Sequence, residues 1–133
     1  MNFSERDLTI LAFLYSAEYN SNRRPPALDL GHSVIYTNAI NMFCKANPEL
    51  SIGIVCYNQK YYMDIYSHNK NSFYIDTIRA ENKHNSLAGR RIDYVIIESH
   101  DRLYPNDVAN LIRDVYTHLT KTGKIVILGQ QIH

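Results

Sequence analysis

A glycine and four polar residues stand at or just beyond the ends of short apolar runs, a position where α/β proteins commonly bind ligands. Gly31, His32 and Ser33 form the first group. A glycine lets backbone N–H groups approach a phosphate, and a serine hydroxyl can reach a metal ion. Asn58 follows a second run and offers a carboxamide, and Glu98 ends a later run and offers a carboxylate. If these runs are parallel strands, their carboxyl ends meet at one edge of the sheet, and the three groups form one site.

The elements that must position these residues follow from periodicity. Apolar runs bounded by turn residues predict strands, and apolar side chains at i, i+3, i+4 and i+7 predict helices. Predicted strands cover 27–30, 51–57, 72–78, 92–97 and 124–128, and predicted helices cover 5–19, 34–46, 59–67 and 106–120, with Gly123 ending the last helix. Strands alternating with helices indicate right-handed crossovers and a mostly parallel sheet. The expected fold is a three-layer α/β sandwich of the P-loop or Rossmann-like type.

Length and composition favour one domain, 1–133, built from an N-terminal helix (1–19) and a βαβ core (20–133). Its one long polar stretch, 79–91, is predicted to be a loop and the main contact surface. The net charge of +1 excludes the overall charge signature of a dedicated nucleic-acid binder. No apolar run approaches a membrane span, and acidic and basic residues interrupt the apolar N-terminal segment 1–13, which excludes a secretion signal there. We therefore expect a cytoplasmic protein without a membrane partner. Cys44 and Cys56 are predicted to be buried, reduced thiols.

The first polar group can be compared with a phosphate-binding loop, G-x-x-x-x-G-K-[ST]. The eight aligned positions are 26-PALDLGHS-33. Gly31 and Ser33 match, Pro26 replaces the first glycine, and His32 replaces the lysine. Proline removes a backbone donor, and histidine is mostly neutral at pH 7, so the loop predicts weaker phosphate binding than the full motif.

A second segment, 88-AGRRIDYVIIESHDRL-103, resembles the stretch of viral DNA-packaging terminases and related helicase-like ATPases that ends in an acidic strand. In that family the strand ends in Asp-Glu, where the aspartate holds Mg²⁺ and the glutamate polarises the attacking water. Glu98 falls on the aspartate position and Ser99 on the glutamate position. The resemblance covers about residues 20 to 131 and implies ATP and Mg²⁺ as ligands. Because the phosphate-binding lysine and the catalytic glutamate of that family are both missing here, hydrolysis is expected to be lost or very weak.

The same first strand also resembles that of Rossmann-type S-adenosylmethionine methyltransferases, which carry an Asp-x-Gly-x-Gly loop. Asp29 and Gly31 match, and Val34 stands near the place of the second glycine. The family uses an acidic residue after the second strand to hold the ribose hydroxyls. This chain has Asn58 there and no carboxylate. The resemblance implies S-adenosylmethionine as an alternative ligand.

The candidate ligand-binding residues are therefore Asp29, Gly31, His32, Ser33, Asn58 and Glu98. Two of these segments also have a purely structural interpretation. Glu98 with 99–101 is alternatively predicted to be a solvated turn, and the tyrosines of 57–66 are predicted to form a helix face packed on the sheet. The sequence predicts a non-catalytic or weakly catalytic nucleotide-fold protein, viral by resemblance and acting in the host cytoplasm. It is expected to bind a nucleotide, a nucleic acid or, most simply, a protein partner. The alternatives are a methyltransferase-like protein and a pure interaction module such as a viral antagonist of a host factor.

Overall fold

A computed structural model of the chain describes residues 4–17, 26–28, 36–77, 79–98 and 105–129. The helices are α1 (Glu5–Ser16), α2 (Thr37–Ala46), α3 (Gln59–Ile65), α4 (Ala80–Leu87) and α5 (Pro105–Tyr116). The strands are β1 (Ala27–Leu28), β2 (Ile52–Val55), β3 (Ser72–Tyr74), β4 (Ile92–Glu98) and β5 (Leu119–Leu128). These strands form one sheet in the order β1-β5-β4-β2-β3, and every pairing is parallel. The predicted α/β fold class is confirmed.

Two apolar layers cover the sheet, one on each face. Ile54 of β2 and Ile96 of β4 face the side on which α1, α2 and α3 pack. Val55, which follows Ile54, and Val95, which precedes Ile96, face the side covered by α4 and α5. Because both faces are covered, all four residues of β2 are buried, which explains its unbroken apolar run.

Helix α1 begins with a capping box: Ser4 Oγ accepts the Asp7 N–H at 3.0 Å, and the Asp7 carboxylate accepts the Ser4 N–H at 3.2 Å. Its buried face, which includes Ile10 and Leu14, packs on α2. Among the described residues, no helix is long and apolar enough to span a membrane.

The prediction of a loop over 79–91 is wrong, because Ala80–Leu87 form helix α4. This helix buries only Leu87, so its sequence shows no apolar stripe to detect. Polar contacts hold it instead: Lys83 Nζ lies 2.6 Å from a carboxylate oxygen of Asp114 on α5, and Ser86 Oγ accepts the Asp76 N–H at 3.2 Å. The role of this segment as a contact surface stays a prediction.

The predicted helix 106–120 runs too far, because α5 ends at Tyr116 and β5 begins at Leu119. Gly123 lies inside β5 and does not end the helix. Leu119 continues the helical stripe of α5 in sequence, but it pairs with Ile92 and packs in the same apolar layer as a strand residue. Periodicity could not separate the two assignments, since either places Leu119 against the same core.

Helices α3 and α5 lie on opposite faces of the sheet, although they follow the neighbouring strands β2 and β4. The crossover helices that follow these two strands therefore run over opposite faces of the sheet. In open parallel sheets such a reversal leaves a crevice at the carboxyl edge, and ligands bind there. Glu98 ends β4 and Asn58 follows β2, so both lie at this point.

Candidate functional site at the carboxyl edge

The structure describes two of the six predicted ligand-binding residues, Asn58 and Glu98. Asp29, Gly31, His32 and Ser33 lie outside the described residues. Strand β1, which precedes them, pairs with the end of β5 through Ala27 and Leu28. Helix α2, which follows them, begins at Thr37.

Glu98 is held by the hydroxyls of two tyrosines. Tyr66 donates to Glu98 Oε2 at 2.6 Å, and Tyr61 donates to Glu98 Oε1 at 3.1 Å. Alternation along β4 accounts for this geometry, because Tyr94 and Ile96 point to the α1–α3 layer and Glu98 follows them in step. The predicted solvated turn is therefore wrong for Glu98, whose side chain is half-buried; 99–101 lie outside the described residues.

Burial raises the pKa of Glu98 above its ordinary value, and the hydrogen bonds from Tyr66 and then Tyr61 oppose that rise. None of the ion pairs among the described residues includes Glu98. A buried carboxylate usually has a cationic partner, and here, within the described part of the chain, phenol hydroxyls take that role. Among the described residues, hydrogen bonds from the two phenols are thus what stabilises the charge.

The two donors are themselves fixed in the protonated state. Burial raises the pKa of Tyr66, and the nearby Glu98 carboxylate raises it further. Burial also raises the pKa of Tyr61. Both phenols therefore remain donors at neutral pH. Tyr66 is fully buried and Tyr61 is half-buried, so Tyr61 forms the outer side of this network.

Asn58 joins the network through the backbone of α3. Its side-chain oxygen accepts the Tyr61 N–H at 2.7 Å and caps the helix, so the predicted ligand residue has a structural role. Cys56, at the end of β2, donates weakly to the Asn58 carbonyl oxygen at 3.7 Å. Burial, and secondly the Glu98 charge, raise the pKa of Cys56 to about 12. This thiol is thus a poor nucleophile at neutral pH, and burial of Cys44 and Cys56 is confirmed.

The start of α2 closes the other side of the network. Thr37 Oγ lies 3.3 Å from the Tyr61 hydroxyl. The preceding residue, Tyr36, is buried and its ring lies against Gly129, which follows β5 with a φ of 75°. A Cβ at Gly129 would overlap the Tyr36 hydroxyl and come within 2.9 Å of ring carbons. The start of α2 therefore lies against the end of β5 and beside Tyr61.

Sequence reasoning missed Tyr61 and Tyr66 as partners of Glu98. The prediction that Tyr62 and Tyr66 pack on the sheet is confirmed, since both are buried in the apolar layer. The available signal was chemical: a buried phenol hydroxyl needs a hydrogen-bond partner, and Glu98 was the acidic residue expected at that edge. Among the described residues, no group of three or more His, Cys, Asp or Glu side chains could hold a metal ion.

Comparison of the chain with protein-family models, with curated proteins and with solved structures finds no match.

Proposed function

We propose that this chain is a non-catalytic binding protein that holds a nucleotide-type ligand at the carboxyl edge between β2 and β4, without a metal ion. The observation that carries the proposal is the pair of tyrosine hydroxyls on the two oxygens of Glu98. Mg²⁺ binds carboxylate oxygens at about 2.0–2.1 Å in strict octahedral geometry. Each Glu98 oxygen already accepts one phenol hydroxyl, and among the described residues no group of three or more His, Cys, Asp or Glu side chains completes a metal site around it.

The resemblance to terminase-like ATPases supports the loss of turnover in this proposal. Glu98 stands where that family has its metal-binding aspartate, Ser99 where it has the catalytic glutamate, and His32 where it has the lysine. A carboxylate that already accepts two phenol hydroxyls, and that belongs to no metal-binding group among the described residues, fits a scaffold that keeps its ligand edge and no longer positions a metal. The proposed setting is a viral protein in the reducing host cytoplasm, whose biological output passes through a protein partner.

Two observations favour this reading over the methyltransferase-like alternative. The usual Rossmann order, 3-2-1-4-5-6, places the first strand between the second and the fourth. Here β1 pairs with β5, and β2 lies between β4 and β3. In addition, the oxygen of Asn58 already accepts the Tyr61 N–H as the cap of α3, and the carboxylate that the methyltransferase family uses at this place is absent.

Isothermal titration calorimetry tests the proposal. The wild-type chain is titrated with the four ribonucleoside triphosphates, in Mg²⁺ and again in EDTA, and with S-adenosylmethionine. We expect at least one triphosphate to bind with equal affinity in both buffers, and phosphate release to stay at the background rate. Affinity that requires Mg²⁺, or binding of S-adenosylmethionine alone, would contradict the proposal. Absence of binding by every compound would favour the pure interaction module.

The His32→Lys variant tests the phosphate-loop reading separately. Lysine restores the cation of the full motif, so the affinity for the triphosphate should rise. The matched control is Lys60→Met, which removes an exposed lysine of α3 that pairs with Asp64. An unchanged affinity in His32→Lys would contradict the assignment of 26–33 as a relic phosphate loop.

A further inference from the structure

With respect to the described residues, the Glu98 carboxylate keeps unused capacity to accept hydrogen bonds. An ionised carboxylate offers about four lone-pair positions, and the two tyrosine hydroxyls occupy one on each oxygen. The side chain is half-buried, as are Tyr61 and Thr37 beside it, so this cluster forms part of the surface of the carboxyl edge. A ligand at the crevice can therefore donate to the outer side of Glu98.

The charge of the cluster selects the chemistry of that ligand. The groups that interact with Glu98 from the described elements are Tyr61 and Tyr66 of α3 and Cys56 after β2, and Thr37 of α2 contacts the Tyr61 hydroxyl. Thr37 carries no charge, and the three titratable groups stay neutral near pH 7 because burial raises the pKa of each. The only charge in the described cluster is thus negative. It repels a phosphate and favours a group that presents O–H or N–H donors.

We propose that Glu98 and Tyr61 receive the ribose diol of a nucleoside, and that any phosphates of the ligand point away from this cluster. The inference rests on the proposed nucleotide-type function and names the part of the ligand that this carboxylate binds. Vicinal hydroxyls donate to the carboxylate, while the Tyr61 hydroxyl, which donates to Glu98, can also accept. Recognition then depends on the diol and not on phosphate or Mg²⁺.

This arrangement predicts the direction of the pH dependence. Donors from the ligand stabilise the ionised carboxylate, so binding lowers the pKa of Glu98. Affinity for a nucleoside should rise as the pH is raised from the ordinary carboxyl range through the elevated pKa of Glu98. A phosphate placed at the same position would produce the opposite trend, because ionisation of Glu98 would repel it.

Calorimetry in EDTA at two pH values tests the inference, with the four ribonucleosides, their 2′,3′-dideoxy analogues and the four triphosphates as probes. For the base that binds, we expect the nucleoside to bind at least as tightly as its triphosphate. We also expect the dideoxy analogue to bind at least about tenfold more weakly, the range for loss of a hydrogen bond to a charged group. A triphosphate that binds markedly more tightly than its nucleoside, or a dideoxy analogue of equal affinity, would overturn the inference and leave the proposed function standing. If no probe binds, the proposed function itself fails.

Two variants locate the effect. Glu98→Gln should weaken nucleoside binding at least about tenfold and remove the pH dependence. The control, Asp64→Asn, removes an exposed carboxylate of α3 whose partner is Lys60, and should change neither property. Equal nucleoside affinities for Glu98→Gln and the wild-type chain would also overturn the inference. If the variant folds poorly, the dideoxy analogue series on the wild-type chain still tests it.

Discussion

Replacement of Tyr66 by phenylalanine removes one hydroxyl and keeps the buried ring. The lost hydrogen bond is 2.6 Å long and reaches a carboxylate, a class that contributes about 1.5–3 kcal/mol to stability. Glu98 would keep Tyr61 as its remaining tyrosine donor. We therefore expect the free energy of unfolding to fall by about 2 kcal/mol near neutral pH, and Tm by about 8 °C.

The size of this loss should depend on pH. Because folding raises the pKa of Glu98, the folded state favours the protonated carboxyl. The contribution of Glu98 to the free energy of unfolding is therefore most favourable below the ordinary carboxyl pKa. Stability declines as the pH rises through the elevated value. The hydrogen bond from Tyr66 limits that rise, so Tyr66→Phe raises the pKa further and steepens the decline. Urea unfolding at about pH 4.5 and about pH 8 measures the difference.

Tyr62→Phe is the matched control, because the Tyr62 hydroxyl lies 2.8 Å from the neutral Ser72 hydroxyl on the same layer. Its loss should be about 1 kcal/mol and equal at both pH values. The reasoning is refuted if Tyr66→Phe loses the same stability at both pH values, or no more than Tyr62→Phe at the higher one.

Three further variants test the supports of the fold by urea unfolding. Gly129→Ala places a Cβ at a φ of 75° and against Tyr36, so we expect a loss of more than about 2 kcal/mol; a loss below that of an ordinary surface substitution would contradict this packing. Ser4→Ala removes the side-chain cap of α1 and should reduce stability by about 1 kcal/mol, with unchanged stability as the contrary result. Lys83→Met removes the ion pair with Asp114, and in the wild-type chain Lys83 lowers the pKa of that carboxyl. At pH values above the ordinary carboxyl pKa, we expect the substitution to reduce the free energy of unfolding by about 0.5–1 kcal/mol. That contribution disappears as the pH falls through the depressed pKa, so an identical loss in acid would contradict it.

The layers of this fold could be predicted because its strongest patterns report burial directly. The unbroken apolar run of β2 indicates a strand covered on both faces, and the stripe of Val108, Leu111 and Val115 indicates the buried face of α5. Helix α4 escaped prediction because its contacts are polar and distant in sequence, such as Lys83 with Asp114. Strands β3 and β4 are parallel, because both pair in parallel with β2. Parallel strands need a crossover that is usually helical, so the connection between β3 and β4 is where a helix is expected.

The candidate site was only partly predictable. Sequence placed Glu98 at the carboxyl edge, because a strand end fixes where its last residue lies. It could not show that Tyr61 and Tyr66 occupy both carboxylate oxygens, since this depends on how α3 packs across the crevice. Asn58 shows the same limit: its amide is well placed for a ligand in sequence, but in the structure it caps a helix.

The central claim is that a nucleoside ligand meets the Glu98 carboxylate at the edge between β2 and β4. Carbon-13 NMR of the glutamate side-chain carboxyls, assigned with the Glu98→Gln variant, tests this most directly. Addition of the nucleoside that binds best, in EDTA, should shift the Glu98 carboxyl resonance and lower its apparent pKa, while the other glutamates stay unchanged. Saturating ligand that leaves the Glu98 resonance and its titration unchanged would contradict the claim.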